Sequence, residues 1–177
     1  MHRLFVAIRP PSAIRKALLS IMGGVEGARW QSDDQLHLTL RFIGEVDRHR
    51  ADDIAAALAT VGGAPFTIRL SAAGVFDHRG RIDALWAGVT PHDELRALHK
   101  KIDRACQSAG TAPDQRAYLP HITLARLNRA SGPVHDFLSL HAGLSSEPFV
   151  LDQFGLFESE LGREGAVYHL VERYRLD

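Results

Sequence analysis

Two four-residue stretches decide the fold of this chain: His37-Leu38-Thr39-Leu40 and His121-Ile122-Thr123-Leu124. Each alternates polar and aliphatic residues with a period of two, which is typical of a β-strand with one buried face. On such a strand the histidine and the threonine point to the polar face, while the aliphatic side chains point into the core. The two stretches therefore predict two strands that each present an imidazole beside a hydroxyl.

The elements around the two stretches follow the same order: strand, helix, His-Thr strand, helix, strand. The predicted strands are Leu4–Ile8, Leu36–Ile43, Phe66–Leu70, Ala84–Val89, Tyr118–Leu127, Phe149–Phe157 and Val167–Tyr174. Helices are predicted after Ser12 and Asp47 as N-caps, after Thr90-Pro91, and over Pro133–His141. This order indicates an internal duplication. We expect one domain, 1–177, of two pseudo-symmetric lobes built around the halves 1–76 and 82–177, with the loop Asp77–Arg81 between them.

The alternating strands favour antiparallel sheets in an α+β fold over a parallel α/β sheet, because alternation implies one wetter face. A pseudo-two-fold axis would bring the two His-Thr strands together across a cleft. Two imidazoles and two hydroxyls would then face one small ligand, and a tetrahedral phosphate group fits this arrangement of donors and acceptors. The hydroxyls can donate to its non-bridging oxygens, while the imidazoles act as base and acid on the attacking and leaving oxygens.

A single His-x-Thr stretch is weak support for function, because both residues are ordinary on a strand. Two copies that are 84 residues apart and matched in their surrounding elements are much stronger support. A duplication without chemistry would need to keep the hydrophobic positions but not this polar pair. The sequence therefore favours His37 and His121 as functional residues.

Composition limits the remaining possibilities. The net charge is zero with His neutral, so positive charge that contacts phosphate must be local. The single Cys106 excludes an intrachain disulfide. No signal peptide is recognisable and no apolar run approaches the roughly 18 residues that span a bilayer, so we expect a soluble, cytoplasmic protein, most simply a monomer.

The residues in and around the two motifs also resemble those of a known family. The segments His37–Glu45 and Pro120–Arg126, together with Gly74–Phe76 and Leu85–Val89, resemble the 2H phosphoesterase superfamily, and within it the bacterial RNA 2′,3′-cyclic phosphodiesterases, also called 2′-5′ RNA ligases. The resemblance covers nearly the whole chain. It implies a bilobal α+β fold of two antiparallel sheets that face a central cleft, with the helices outside. It also implies hydrolysis of a ribonucleoside or RNA-terminal 2′,3′-cyclic phosphate to a 2′-phosphate, with reversible RNA ligation as a further activity.

By this resemblance His37 and His121 form the acid/base pair, Thr39 and Thr123 bind phosphate, and Arg126 is a further phosphate contact. Strand alternation places Arg126 on the face opposite His121, so it can help only if the strand ends or twists near Ala125. Arg41 shares a face with His37 and Thr39 and is the alternative phosphate contact. The resemblance also assigns His121 as the base and His37 as the acid.

Other interpretations are open to test. Two histidines without a Cys pair or a His-x₃-His spacing do not make a zinc site, so we expect no metal and no other cofactor. Trp30, Phe42, Phe76 and Tyr118 lie near the two strands and could stack on a base, but most are expected in the core, Phe42 in particular. The rival hypothesis is a non-catalytic RNA-end or nucleotide-binding module, which has no need for two imidazoles beside hydroxyls.

Overall fold

The structure, a computed structural model, describes every residue from Met1 to Asp177. Its nine strands are β1 (His2–Ile8), β2 (Arg29–Trp30), β3 (Leu38–Val46), β4 (Phe66–His78), β5 (Arg81–Thr90), β6 (His121–Arg126), β7 (Phe149–Leu151), β8 (Gln153–Gly162) and β9 (Gly165–Arg175). Its helices are α1 (Ser12–Ser20), α2 (Arg48–Leu58), α3 (His92–Ser108) and α4 (His135–Leu140), and a 3-10 turn covers Asp33–Gln35.

The strands are hydrogen-bonded in the order β7-β4-β5-β6-β3-β1-β8-β9, with β2 added to β6, and every pair is antiparallel. One residue pair, Leu38 with Ile122, joins the two halves of this order. We call β4–β7 with β2 the first lobe, and β1, β3, β8 and β9 the second lobe. The predicted α+β fold with antiparallel sheets and a central cleft is confirmed, and the pair Leu38–Ile122 makes the sheet continuous through the cleft floor.

Each lobe takes strands from both halves of the chain. The first half supplies β1 and β3 to the second lobe, but its next strand, β4, pairs with β5 in the first lobe. The second half supplies β5 and β6 to the first lobe, but β8 pairs with β1 in the second lobe. The repeated order of elements is therefore present, and the last strand of each repeat is exchanged between the lobes.

The chain has one continuous core of 34 buried residues, which includes the aliphatic residues of both motifs. Helices α2 and α3 pack on each other, and they also pack on β1 and β3 respectively. The Asp47 side chain accepts a hydrogen bond from the Arg50 amide and caps α2 as predicted, whereas Ser12 is the first residue of α1 rather than its cap. No helix is long and apolar enough to cross a membrane.

Two predicted boundaries were wrong in a way that affects the architecture. The segment Phe149–Phe157 is two strands rather than one: β7 ends at Leu151 and β8 begins at Gln153, in different lobes. The strand predicted to end at Leu70 continues to His78 and forms a hairpin with β5, so the predicted linker at Asp77–Arg81 is a tight turn. An apolar pattern read along one strand cannot show where the chain changes partners.

Candidate active site

The two motif histidines meet at the junction of the lobes. In the antiparallel pair of Leu38 with Ile122, the preceding residue of one strand faces the following residue of the other, so His37 lies opposite Thr123 and Thr39 opposite His121. Diagonal neighbours in such a pair are about 7–8 Å apart. His37 and His121 each precede a paired residue, so they flank the Leu38–Ile122 pair as diagonal neighbours on one face of the sheet.

A β-bulge follows each motif and changes which later residues reach the cleft. On β3, Thr39 pairs with Ala7 but Arg41 pairs with Val6, so Leu40 is an extra residue. On β6, Thr123 pairs with Trp86 but Ala125 pairs with Leu85, so Leu124 is extra at the equivalent position. An extra residue reverses the inside-outside alternation beyond it.

The bulges explain where the predicted phosphate contacts lie. Leu124 and Ala125 are both fully buried, and Arg126 returns to the cleft face and lines the cavity. The tension between strand alternation and a role for Arg126 is thereby removed. At the equivalent position of β3, Phe42 is 38% exposed and lines the same cavity, so the prediction that Phe42 is a core residue was wrong.

Arg41, the alternative phosphate contact predicted from strand alternation, does not lie on the cleft face, so that prediction was wrong. Arg41 is 5% exposed and lies behind the cleft, because the bulge at Leu40 turns it inward. Its Nε and Nη2 donate to Asp103 Oδ1 at 3.0 and 2.8 Å, and its other contacts are to Thr111, Ala112 and the Phe42 carbonyl. Burial alone would raise the pKa of Asp103, but the hydrogen bonds from Arg41 and from the Asp114 amide outweigh it and lower that pKa.

Both motif imidazoles are held in the same way. His37 Nδ1 donates to the Gln35 carbonyl at 2.9 Å, and His121 Nδ1 donates to the Leu119 carbonyl at 2.7 Å. A carbonyl can only accept, so Nδ1 carries a proton in each ring and Nε2 is left to gain or lose one. In each case the acceptor belongs to the residue two positions earlier, so the repeat has kept the orientation of both rings.

Aromatic rings surround the two imidazoles. The ring of His37 makes edge contacts with Phe5, Phe157 and Tyr168 at centroid distances of 5.8, 5.1 and 4.9 Å. The ring of His121 packs against Phe76 at 4.7 Å. Burial among these rings lowers the pKa of both histidines, although the hydrogen bonds that they donate to their carbonyl partners oppose it.

Nearby arginines act in the same direction as burial on the two imidazoles. Arg9 and Arg15 lower the pKa of His37 further, against a smaller opposing effect of Asp34, and Arg126 lowers the pKa of His121. With positive charge close by, each imidazole is more easily held neutral. A bound phosphate would bring negative charge and oppose this effect at both rings.

The cleft has a cavity volume of about 570 Å³. His37, Thr39, Thr123 and Arg126 line it, whereas His121, two residues before Thr123 on β6, does not. The two threonine hydroxyls have no hydrogen-bond partner within the protein, and Arg126 forms no ion pair, so all three are available to a ligand. No three His, Cys, Asp or Glu side chains are grouped as metal ligands.

Sequence reasoning missed several residues of the cleft. Tyr168 from β9 and Arg3 from β1 line the cavity, as do three glutamates, Glu45, Glu158 and Glu160. Tyr168 comes from the hairpin that the second half contributes to this lobe, and no feature near either motif indicates it. Of the aromatic residues proposed to stack on a base, only Phe42 lines this cavity.

A two-lobed antiparallel fold with a His-x-Thr pair on adjacent central strands defines the 2H phosphoesterase type. The family model of the 2′-5′ RNA ligase superfamily matches residues 10–166, and the chain belongs to that family.

Individual relatives agree with this assignment. The chain is 30% identical over 169 residues to the RNA 2′,3′-cyclic phosphodiesterase of Archaeoglobus fulgidus, covering 94% of this chain and 96% of the relative. It is also similar to the crystal structure of Escherichia coli LigT in its apo form, with a TM-score of 0.80, 27% identity and coverage of 99% and 97% of the two chains. The structure of E. coli LigT complexed with 3′-AMP matches with a TM-score of 0.77, 26% identity and coverage of 99% and 98%.

Proposed function

We propose that this protein hydrolyses ribonucleoside or RNA-terminal 2′,3′-cyclic phosphates to 2′-phosphates, with His37 and His121 as its acid/base pair. One observation carries the proposal: both imidazoles are fixed through Nδ1 to a backbone carbonyl, which leaves the Nε2 of each free to exchange a proton. The naming of the A. fulgidus relative as an RNA 2′,3′-cyclic phosphodiesterase and the 3′-AMP complex of LigT support this substrate class.

The reaction needs one proton removed and one supplied. Water attacks phosphorus, His121 Nε2 takes its proton, and the P–O3′ bond breaks while His37 Nε2 gives its proton to the departing 3′-oxygen. The product keeps the phosphate on the 2′-oxygen. Thr39 and Thr123 donate to the non-bridging oxygens, and Arg126 stabilises the charge that develops on them. The base and acid assignments follow the family resemblance.

The same groups catalyse the reverse direction, in which an RNA 5′-hydroxyl replaces water and a 2′-5′ linkage forms. Hydrolysis dominates because water is far more concentrated than any 5′-hydroxyl. The proposal retains three predictions from the sequence: catalysis without a metal ion, a monomeric single domain, and a cytoplasmic location.

The test is to incubate the purified protein with adenosine 2′,3′-cyclic phosphate, with and without EDTA, and to identify the product by phosphorus NMR. We expect 2′-AMP at the same rate in both samples. His37→Ala and His121→Ala should each lower kcat by at least about 10²-fold, which is the usual contribution of one general acid or base. His49→Ala is the matched control, because His49 lies on α2 with a side chain that is 91% exposed.

Loss of turnover in EDTA that zinc or manganese restores would refute the metal-free mechanism. If either motif variant keeps nearly wild-type turnover, the two-histidine mechanism is wrong. The protein would then be a non-catalytic module that binds nucleotides or RNA ends.

A further inference from the structure

The strand that carries Thr39 loses its neighbour directly after the motif. Strands β3 and β6 pair only at Leu38 and Ile122, so the edge of β3 beyond this point has no strand to bond with. Two side chains supply donors there instead. The Tyr118 hydroxyl donates to the Thr39 carbonyl at 2.9 Å, and His99 Nδ1 donates to the Leu40 carbonyl at 2.6 Å.

The two donors support each other. The rings of His99 and Tyr118 are stacked, with centroids 4.5 Å apart and planes 4° from parallel. His99 is buried in α3, and Arg96 Nε of the same helix donates to the Tyr118 carbonyl at 3.4 Å. Burial raises the pKa of Tyr118, so its hydroxyl remains a protonated donor at any working pH. Helix α3 therefore fixes Tyr118 at both its ring and its backbone.

Tyr118 also lies in the segment that leads into the second motif. The next residue, Leu119, provides the carbonyl that orients His121, and the Pro120 carbonyl accepts from the Val89 amide at 3.3 Å. The hydroxyl of Tyr118 thus ties this segment to the peptide of Thr39. Beside the single pair Leu38–Ile122, this bond directly links β3 to the segment that leads into β6.

We propose that Tyr118, held by its stack on His99, is a positioning residue that fixes the Thr39 hydroxyl relative to the His121 segment. Its ring is covered by His99 and does not line the cleft, so it takes the place of a missing strand rather than stacking on a base. The inference rests on the proposed function, because it assigns Thr39 and His121 to one phosphate site.

A double-mutant cycle tests the proposal. Tyr118→Phe keeps the ring and the stack but removes the donor to Thr39. We expect it to lower kcat/KM about 3- to 10-fold, the range for one neutral hydrogen bond. In the Thr39→Ala background, where the positioned hydroxyl is absent, Tyr118→Phe should lower kcat/KM by less than about twofold. A merely structural role would lower activity by the same factor in both backgrounds.

Tyr174→Phe is the matched control. The Tyr174 hydroxyl donates to the Ala55 carbonyl of α2 at 2.8 Å, and its ring stacks on Phe154, so the variant loses the same kind of bond away from the cleft. We expect a similar fall in melting temperature for the two single variants and an unchanged kcat/KM for Tyr174→Phe. The proposal is overturned if Tyr118→Phe also keeps wild-type kcat/KM, or if its effect persists undiminished beside Thr39→Ala.

A binding measurement separates this proposal from the proposed function. The affinity of the four cycle proteins for inorganic phosphate is measured by calorimetry. Tyr118→Phe should weaken phosphate binding when Thr39 is present and not when it is alanine. This result would support positioning even if the wild-type protein turned over no cyclic phosphate, and equal weakening in both backgrounds would refute it.

Discussion

Replacing Arg41 by alanine is expected to lower the stability of the protein but not its activity. Replacing Arg126 by alanine is expected to lower the activity but not the stability. The Arg41 side chain is 4% exposed and makes two hydrogen bonds to Asp103. Removing one member of a buried ion pair costs about 3–5 kcal/mol of the free energy of unfolding. Asp103 keeps its bonds from Gln107 and from the Asp114 amide, which favours the lower end of that range.

For a chain of this size each 1 kcal/mol shifts the melting temperature by about 2–4 °C, so Arg41→Ala should lower it by about 6–12 °C. Its kcat/KM, measured where the variant is folded, should stay within about threefold of wild type, a change of about 0.6 kcal/mol. The free energy of unfolding of Arg126→Ala should lie within about 0.5 kcal/mol of the wild-type value, because the Arg126 side chain is exposed and forms no ion pair. Its kcat/KM should fall about 10- to 150-fold, since charged hydrogen bonds contribute about 1.5–3 kcal/mol.

Both variants are melted by circular dichroism and assayed on one cyclic nucleotide at 25 °C. The reasoning from the β3 bulge is refuted if Arg41→Ala loses as much kcat/KM as Arg126→Ala while keeping the wild-type melting temperature. That outcome would mean that the Arg41 guanidinium acts in the cleft, as simple strand alternation suggests.

Three further predictions follow from the site. Burial lowers the pKa of both His37 and His121 below 6.5, so the pH profile of kcat/KM should be bell-shaped with its maximum below pH 6.5. The profile of kcat should lie at higher pH, because bound phosphate raises both pKa values. A maximum of kcat/KM above pH 7 would contradict this prediction. A Cβ at Gly74 would clash with the Trp86 ring, whose centroid lies 6.2 Å from that of His121. Gly74→Ala should therefore lower the free energy of unfolding by about 1–3 kcal/mol in thermal melts, and it should also lower kcat. The lowered pKa of Asp103 contributes stability that is fully present above its ordinary value of 3.8 and is lost as the pH falls through the folded-state pKa. Urea titrations of wild type and Asp103→Asn should therefore begin to converge only as the pH falls below 3.8 and should meet below that folded-state pKa.

The sequence was sufficient to predict the central part of the site because period-two alternation is a local property. Leu38, Leu40, Ile122 and Leu124 are all fully buried, as the alternation at each motif requires. The pairing of the two strands was inferred from the repeat, since a matched polar pair on matched elements implies a pseudo-two-fold axis.

Prediction failed where the geometry depends on a partner strand. Leu40 and Leu124 are ordinary aliphatic residues, and nothing in their types shows that β1 and β5 leave them unpaired. The two bulges nevertheless decide that Phe42 and Arg126 reach the cleft and that Arg41 does not. Tyr168 was missed for a related reason, because its place beside His37 results from the pairing of β8 with β1, far apart in the chain.

The exchange of β4 and β8 between the lobes has a consequence for cutting the chain. The turn at Arg79-Gly80 is exposed and lies between the two repeats, so it is a natural site for a protease. A nick there would leave two fragments that are interlocked, because each holds an internal strand of the other's sheet. Neither fragment contains a complete lobe, so the two fragments could dissociate only by unfolding.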